Sequence, residues 1–396
     1  MSKREIAYLI KSWREESDFS QEYIAQKINV HIDDYRKYEI GKWNIPQSIL
    51  KKIVELSHLD PNEVNLEEPI ERNAPKHMVG ALSYEKNAPK IKITEIIAGF
   101  FNGFHRRPMD SKLYYFEKQM FHPEEVAVIA PRLYIYSFWV IFIFYLSASL
   151  IADIVLMNLT LSLAIPFSLM ILMHELHQPK NVKGVHLISY FGMGGVFSIF
   201  WVYVLRVFTG YLTLPIVSEL VTGFVEETAK IFIVILILRR FRVKDILTGF
   251  LVGFAVGAGF DVFETSSYGL LAFLSTMDYS IMVDEISYRS IWAIFGIGHH
   301  FWTAILGGTL VYVNPTTRIN FNSVTKPLFI EMYITVILIH AAWNFTVTYF
   351  PMLYYVVLGI SLLLFLRFYM VQNANYRLRK HLEIVSSISS ETQETM

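Results

Sequence analysis

The chain has 396 residues, no cysteine, and 35 Lys and Arg against 35 Asp and Glu, a formal net charge of zero. Without cysteine, neither a disulfide framework nor a thiolate metal site is available, and a neutral balance points to no class of partner. The mean hydropathy of +0.38 averages two unlike halves, because residues 1–131 are polar and residues 132–371 are mostly apolar.

The N-terminus lacks the apolar core of a signal peptide over its first 30 residues. Residues 5–65 read as five short helices. Ser20 is a good N-cap for the second, with Glu22 and Tyr23 in its first turn, and Gly41 closes the third at a position that tolerates positive φ. The pattern Trp13-Arg14-Glu15-Glu16, Ser20-Gln21, Ile24-Ala25, Tyr38-Glu39-x-Gly41 and Ile49-Leu50 resembles the Xre/Cro-type helix-turn-helix family over residues 1–66. The resemblance implies a recognition helix at 31–39 and DNA binding through Gln21, Arg36 and Lys37. Against this, residues 1–66 hold ten Lys and Arg and eleven Asp and Glu, a balance of −1, where phosphate binding usually shows as a basic patch. Binding from such a domain would need dimerisation or a raised local concentration at the membrane. A protein contact is the competing reading.

Residues 67–131 form a proline-bearing polar connector, in which 91–104 has the apolar spacing of an interfacial or an ordinary packing helix. Eight candidate membrane spans follow, near 133–152, 156–174, 186–208, 212–238, 246–273, 290–313, 328–350 and 352–371. Residues 372–396 form a cytoplasmic tail, expected to be disordered at its end. Cations gather in alternate loops, at Lys180, Lys183, Arg239, Arg240, Arg242, Lys244, Arg318 and Lys326, while the opposite loops and their edges carry Arg206 and Arg289. This bias puts both termini in the cytoplasm of a multi-pass cell-membrane protein. The fold class is thus mainly α: an N-terminal helical domain plus a polytopic bundle of about eight transmembrane helices.

Four spans carry ionisable groups at similar depth. A charge at bilayer depth costs roughly a few kcal/mol at least. In the fourth, Glu219, Thr222, Glu226 and Lys230 recur at helical spacing. Glu226 and Lys230 can form an i,i+4 pair, leaving Glu227, about 100° further round, as the freer carboxylate. Neighbouring carboxylates in low dielectric resist joint ionisation, which suits a proton-transfer group. In the fifth span Gly249, Gly253 and Gly257 repeat every four residues and admit a close neighbour, and the same face continues into Asp261 and Glu264. His299 and His300 lie in the sixth, and His340 with Asn344 in the seventh.

These residues compose four motifs: Glu226-Glu227-x-x-Lys230; Gly253-Phe254-x-x-Gly257-x-Gly259-Phe260-x-x-Phe263-Glu264-x-x-x-Tyr268; Gly298-His299-x-x-Trp302-Thr303-Ala304-x-x-Gly307; and His340-Ala341-Ala342-Trp343-Asn344. In this order over residues 212–345 they resemble the PrsW family of intramembrane proteases. The resemblance implies a catalytic constellation of Glu226, Glu227, Glu264, His299 and His340, supported by Lys230, Asp261, Asn344 and His300. The chain departs from the family's pattern at Asp261, where alanine is usual, at Thr265, often asparagine, and at His300, an added imidazole. The expected reaction is hydrolysis of a peptide bond in or beside the membrane, with Glu227 or Glu264 as general base and His299 and His340 as donors to the oxyanion or leaving amine. No cofactor is expected. The chemical alternative is a zinc-like site on Glu227, Glu264, His299 and His340, although no His-Glu-x-x-His helix exists. The substrate implied is a membrane-anchored regulatory or precursor protein, with transcription coupled through residues 1–66. The rival reading is a membrane-anchored DNA-binding sensor without proteolytic activity. Neither duplicated halves nor paired broken helices suggest a transporter.

Overall fold

The computed structural model describes residues 3–43, 45–57, 77–86, 88, 133–210, 214–240, 243, 245–294, 298–314, 319–350 and 352–394. The expected fifth N-terminal helix and the 91–104 segment lie outside them. The described residues are helical, without strands, and the chain divides into two compact units, residues 1–69 and 70–396.

The first unit contains α1 (Lys3–Glu16), α2 (Gln21–Lys27), α3 (Ile32–Glu39) and α4 (Gln47–Ser57). Ser20 caps α2 by accepting from the Tyr23 amide at 3.1 Å, and Gly41 has φ 68° after α3. Ile10, Ile24, Ile28, Tyr35, Ile53 and their neighbours form the core. At its edge Glu39 is buried, accepting from Arg14 Nε (2.5 Å), Gln21 Nε2 (2.5 Å) and the Tyr35 hydroxyl (3.1 Å). Burial, then the Glu39 charge, pushes the Tyr35 hydroxyl pKa up. Two of the DNA-contact candidates are likewise engaged with carboxylates. Arg36 pairs with Glu22 at 2.9 Å and Asp33 at 3.5 Å, and Lys37 with Asp34 at 3.1 Å.

The second unit opens with one turn, α5 (Met78–Ala81), inside the stretch expected to be only a connector. It is docked: Glu331 accepts from the Met78 amide at 2.8 Å and holds His77 at 2.5 Å, and Gln372 donates to the Ala81 carbonyl at 2.7 Å. The bundle comprises α6 (Leu133–Leu150), α7 (Ile154–Leu176), α8 (Gly184–Thr209), α9 (Pro215–Arg240), α10 (Ile246–Thr276), α11 (Tyr279–Ile294), α12 (His299–Tyr312), α13 (Pro327–Tyr349) and α14 (Tyr354–Glu394). Seven spans among the described residues are long and apolar enough to cross a membrane, with α11 and α12 counted as one. The chain has the composition of a multi-pass membrane protein. The remaining expected span, the fourth, is α9, which is 26 residues long and carries the acidic stripe.

Helix α10 is the axis of the bundle and packs against α7, α8, α9, α11, α12 and α14. Its Gly249, Gly253 and Gly257 meet the backbone of Gly307, Thr303 and His299 on α12, where any Cβ would collide, so the glycine repeat does bring two spans into backbone contact. Two expectations fail. The sixth span is not one unbroken helix over 290–313, because α12 begins at His299 after Gly298, whose φ of 165° and ψ of 152° are extended. The tail is not irregular at its end either: α14 continues to Glu394, and no glycine or proline follows Gly359 within it to interrupt the ladder.

Candidate active site within the membrane bundle

Helix α9 sends its two adjacent glutamates in different directions. The expected Glu226–Lys230 pair is replaced by Glu227–Lys230, at 2.6 Å between fully buried side chains. An i,i+3 step keeps Glu227 and Lys230 on one face, and that face meets α12 and α13. Glu227 Oε1 also lies 2.9 Å from His340 Nδ1, which donates to it, and Lys230 Nζ touches His299 Nδ1 while sitting 4.5 Å from the Phe260 ring centroid. Glu226, about 100° away, is the freer carboxylate. Its Oε2 has no hydrogen-bond partner and stands 3.6 Å from His340 Nε2 and 3.9 Å from His299 Nε2.

The other expected site residues converge from separate helices. Glu264, on α10, meets His299 Nε2 through Oε2 at 2.7 Å. The rings of His299 and His340 are 4.9 Å apart, and Trp302 packs against both. Its indole N–H donates to Ser361 on α14 at 2.8 Å. His299 is the first residue of α12, and its backbone N–H donates to Asp261 Oδ1 at 3.0 Å. His300 points away from the cluster toward Asp261 and the Ala293 carbonyl. Asn344, one turn beyond His340, lines the same cavity.

That cavity, of about 500 Å³, is lined by Glu226, Glu264, His299 and His340 at one end and by Arg206, Glu219, Glu285 and Thr348 toward the other. It extends toward the end of the bundle where α8 and α13 stop and α9 begins. Glu227 is sealed behind Glu226 and is not on its wall. Arg289 on α11 was read from the sequence only as a loop-edge cation. It lies on the wall, 4.0 Å from Glu264 Oε1, bonded to Glu285 at 2.8 Å and stacked 3.6 Å over Tyr268. The Glu285-x-x-x-Arg289 spacing was the available clue.

Glu226, His299 and His340 each offer a ligand atom, all within 4.8 Å of one another. Two imidazoles and a carboxylate are the donor set of many catalytic zinc sites. The orphaned Glu226 Oε2 and the Glu227 contact behind His340, which turns Nε2 toward Glu226, both fit a cation. Asp261, Glu264 and His299 make a second group, but both Asp261 oxygens are occupied by His299 and His300; in the first group His299 Nε2 would have to exchange its 2.7 Å contact with Glu264 for the cation. The fit thus differs from the sequence expectation in two respects: a metal suits the donor set, and Glu226 takes the place given to Glu227.

No curated protein and no solved structure matches the chain. Residues 184–371, which run from α8 into α14 and contain every residue of the cluster, match a family described as PrsW family intramembrane metalloprotease, and the match indicates an intramembrane protease.

Proposed function

We propose that the bundle hydrolyses a peptide bond of a membrane-anchored protein, in or just outside the bilayer, at the end of the cavity bounded by Glu226, Glu264, His299 and His340. The carrying observation is the Glu226 oxygen that has no hydrogen-bond partner and faces two imidazoles on the wall of a partly open cavity. A lone buried carboxylate oxygen is costly unless something binds it.

Glu226, His299 and His340 would hold a divalent cation, zinc being the common match for this donor set, which when bound polarises a carbonyl and lowers the pKa of water. Glu264, on the cavity wall and against His299, is the group disposed to take the proton of an attacking water and to return it to the leaving amine. Glu227 accepts from His340 Nδ1 and so aims Nε2 at the cavity. Lys230 neutralises Glu227 within the fully buried layer. Trp302 packs against both rings and is anchored to Ser361, which fixes their placement. Glu227 therefore serves as an orienting group, and Glu264 is the preferred base.

The test uses the purified full chain in lipid nanodiscs and a single-span peptide carrying a fluorophore and quencher across its juxtamembrane segment. Chelation should abolish cleavage and added zinc should restore it, with metal content falling in His340→Ala. Full cleavage by metal-free protein would overturn the metal assignment. Absence of cleavage by the metal-loaded wild type would overturn the hydrolase. Both termini are read as cytoplasmic from the loop cations. The helix-turn-helix resemblance of residues 1–66 leaves a DNA or protein contact that would couple proteolysis to transcription, and the carboxylates on Arg36 and Lys37 favour protein.

A further inference from the structure

Helix α12 starts at His299, after the extended Gly298 and inside an apolar span, so its first amides lack intrahelical acceptors, and each costs several kcal/mol there unless another protein group meets it. The cap residue Gly298 supplies no side chain. The donors at the start of α12 are met from α10 instead: Asp261 Oδ1 accepts from the His299 amide at 3.0 Å and Oδ2 from the His300 amide at 3.4 Å. A carboxylate there also complements the helix dipole. His300 Nε2 reaches the Ala293 carbonyl of α11 at 3.2 Å while Nδ1 contacts Asp261 Oδ2, which ties α11 to the same carboxylate. One carboxylate and one fully buried imidazole thus link the start of α12 to α10 and α11.

We infer that Asp261 and His300 are a positioning pair that holds the start of α12 so that His299, its first residue, presents its ring to Glu264 and His340. This rests on the protease reading for its catalytic consequence. Gly298 is shaped to the pair. Its φ of 165° is extended backbone open to any residue, but an added Cβ would press on the His300 ring at 2.5 Å and on Asp261 Oδ2 at 3.1 Å. Gly298→Ala therefore disturbs the pair without deleting either member.

The test follows amide exchange at His299 and His300 by mass spectrometry in the full chain in nanodiscs, alongside cleavage of the single-span peptide. In Asp261→Ala, exchange at the two amides should quicken roughly tenfold, as for a lost cap. kcat should fall about 10²-fold, the scale of a misplaced catalytic group, with KM within about twofold. Asp261→Asn, which keeps an acceptor oxygen, should recover most of both, and Gly298→Ala should fall between. The double variant Asp261→Ala/His300→Ala should be no worse than Asp261→Ala alone, as for residues acting as a unit. Unchanged exchange in Asp261→Ala overturns the cap whatever cleavage does. Quickened exchange with unchanged kcat, or a change confined to KM, overturns the positioning role. A wild type that cleaves nothing fails the protease reading, and the exchange difference still decides the cap.

Discussion

One buried acid–base network in each unit makes an instructive pair, because the two are finished differently. In the first unit Glu39 gathers Arg14, Gln21 and Tyr35 around one carboxylate, and both its oxygens are used. In the bundle, Glu226, Glu227, Lys230, Glu264, His299 and His340 form a larger network, yet Glu226 Oε2 and Glu227 Oε2 have no hydrogen-bond partner, and one edge opens on a cavity. A saturated network stiffens a fold, whereas an unsaturated one beside a void is what a binding or catalytic centre needs. Burial of charge alone would not have told the two apart.

The largest effects should come from the cavity edge. Glu226→Gln and His340→Ala should each lower cleavage roughly 10²–10⁴-fold, the range for losing a proton-transfer or electrostatic group, with insertion and folded yield retained. Comparable losses from a cavity-distant change such as Gly359→Ala would erase the contrast. Next comes the sealed edge. Lys230→Met strands Glu227 without its counter-charge and should destabilise the bundle by about 3–5 kcal/mol, read as a lower denaturation midpoint and yield. A stable variant with normal yield would show that the pair carries little.

Glu39→Ala tests the saturated network and should cost about 2–4 kcal/mol, since it leaves Arg14 and Gln21 without their acceptor. The measurement is unfolding of the first unit in the full chain, followed by limited proteolysis, and peptide cleavage should be unchanged. A loss of cleavage there would mean that the two networks are coupled. Smallest is a perturbation-free check of which side the cavity faces. Reporter fusions at 242 and 320 should read cytoplasmic and those at 210 and 280 external, and the inverse would turn the cavity mouth toward the cytoplasm.

Much of this was legible in the sequence, because it rests on periodicity and on polar residues surviving among apolar ones. The spans, the α10 glycine stripe and the convergence of four helices on one layer belong to that class. The partner of Lys230 was not legible. Helical spacing allows both Glu226 and Glu227, and the choice depends on where His299 and His340 stand on other helices. The break before His299 was hidden because the apolar composition continues through it. Its trace in the sequence is Gly298 immediately before His299. The docking of α5 on Glu331 and Gln372 was out of reach, since backbone groups make most of its contacts.

The most direct test of the account is cleavage of the labelled single-span peptide by the zinc-loaded full chain in nanodiscs, wild type against Glu264→Gln, with the product mapped by mass spectrometry. The account predicts a cut in or beside the span by the wild type and a loss of roughly 10²–10⁴-fold in the variant, with metal content and fold unchanged. Equal cleavage by both proteins would contradict it.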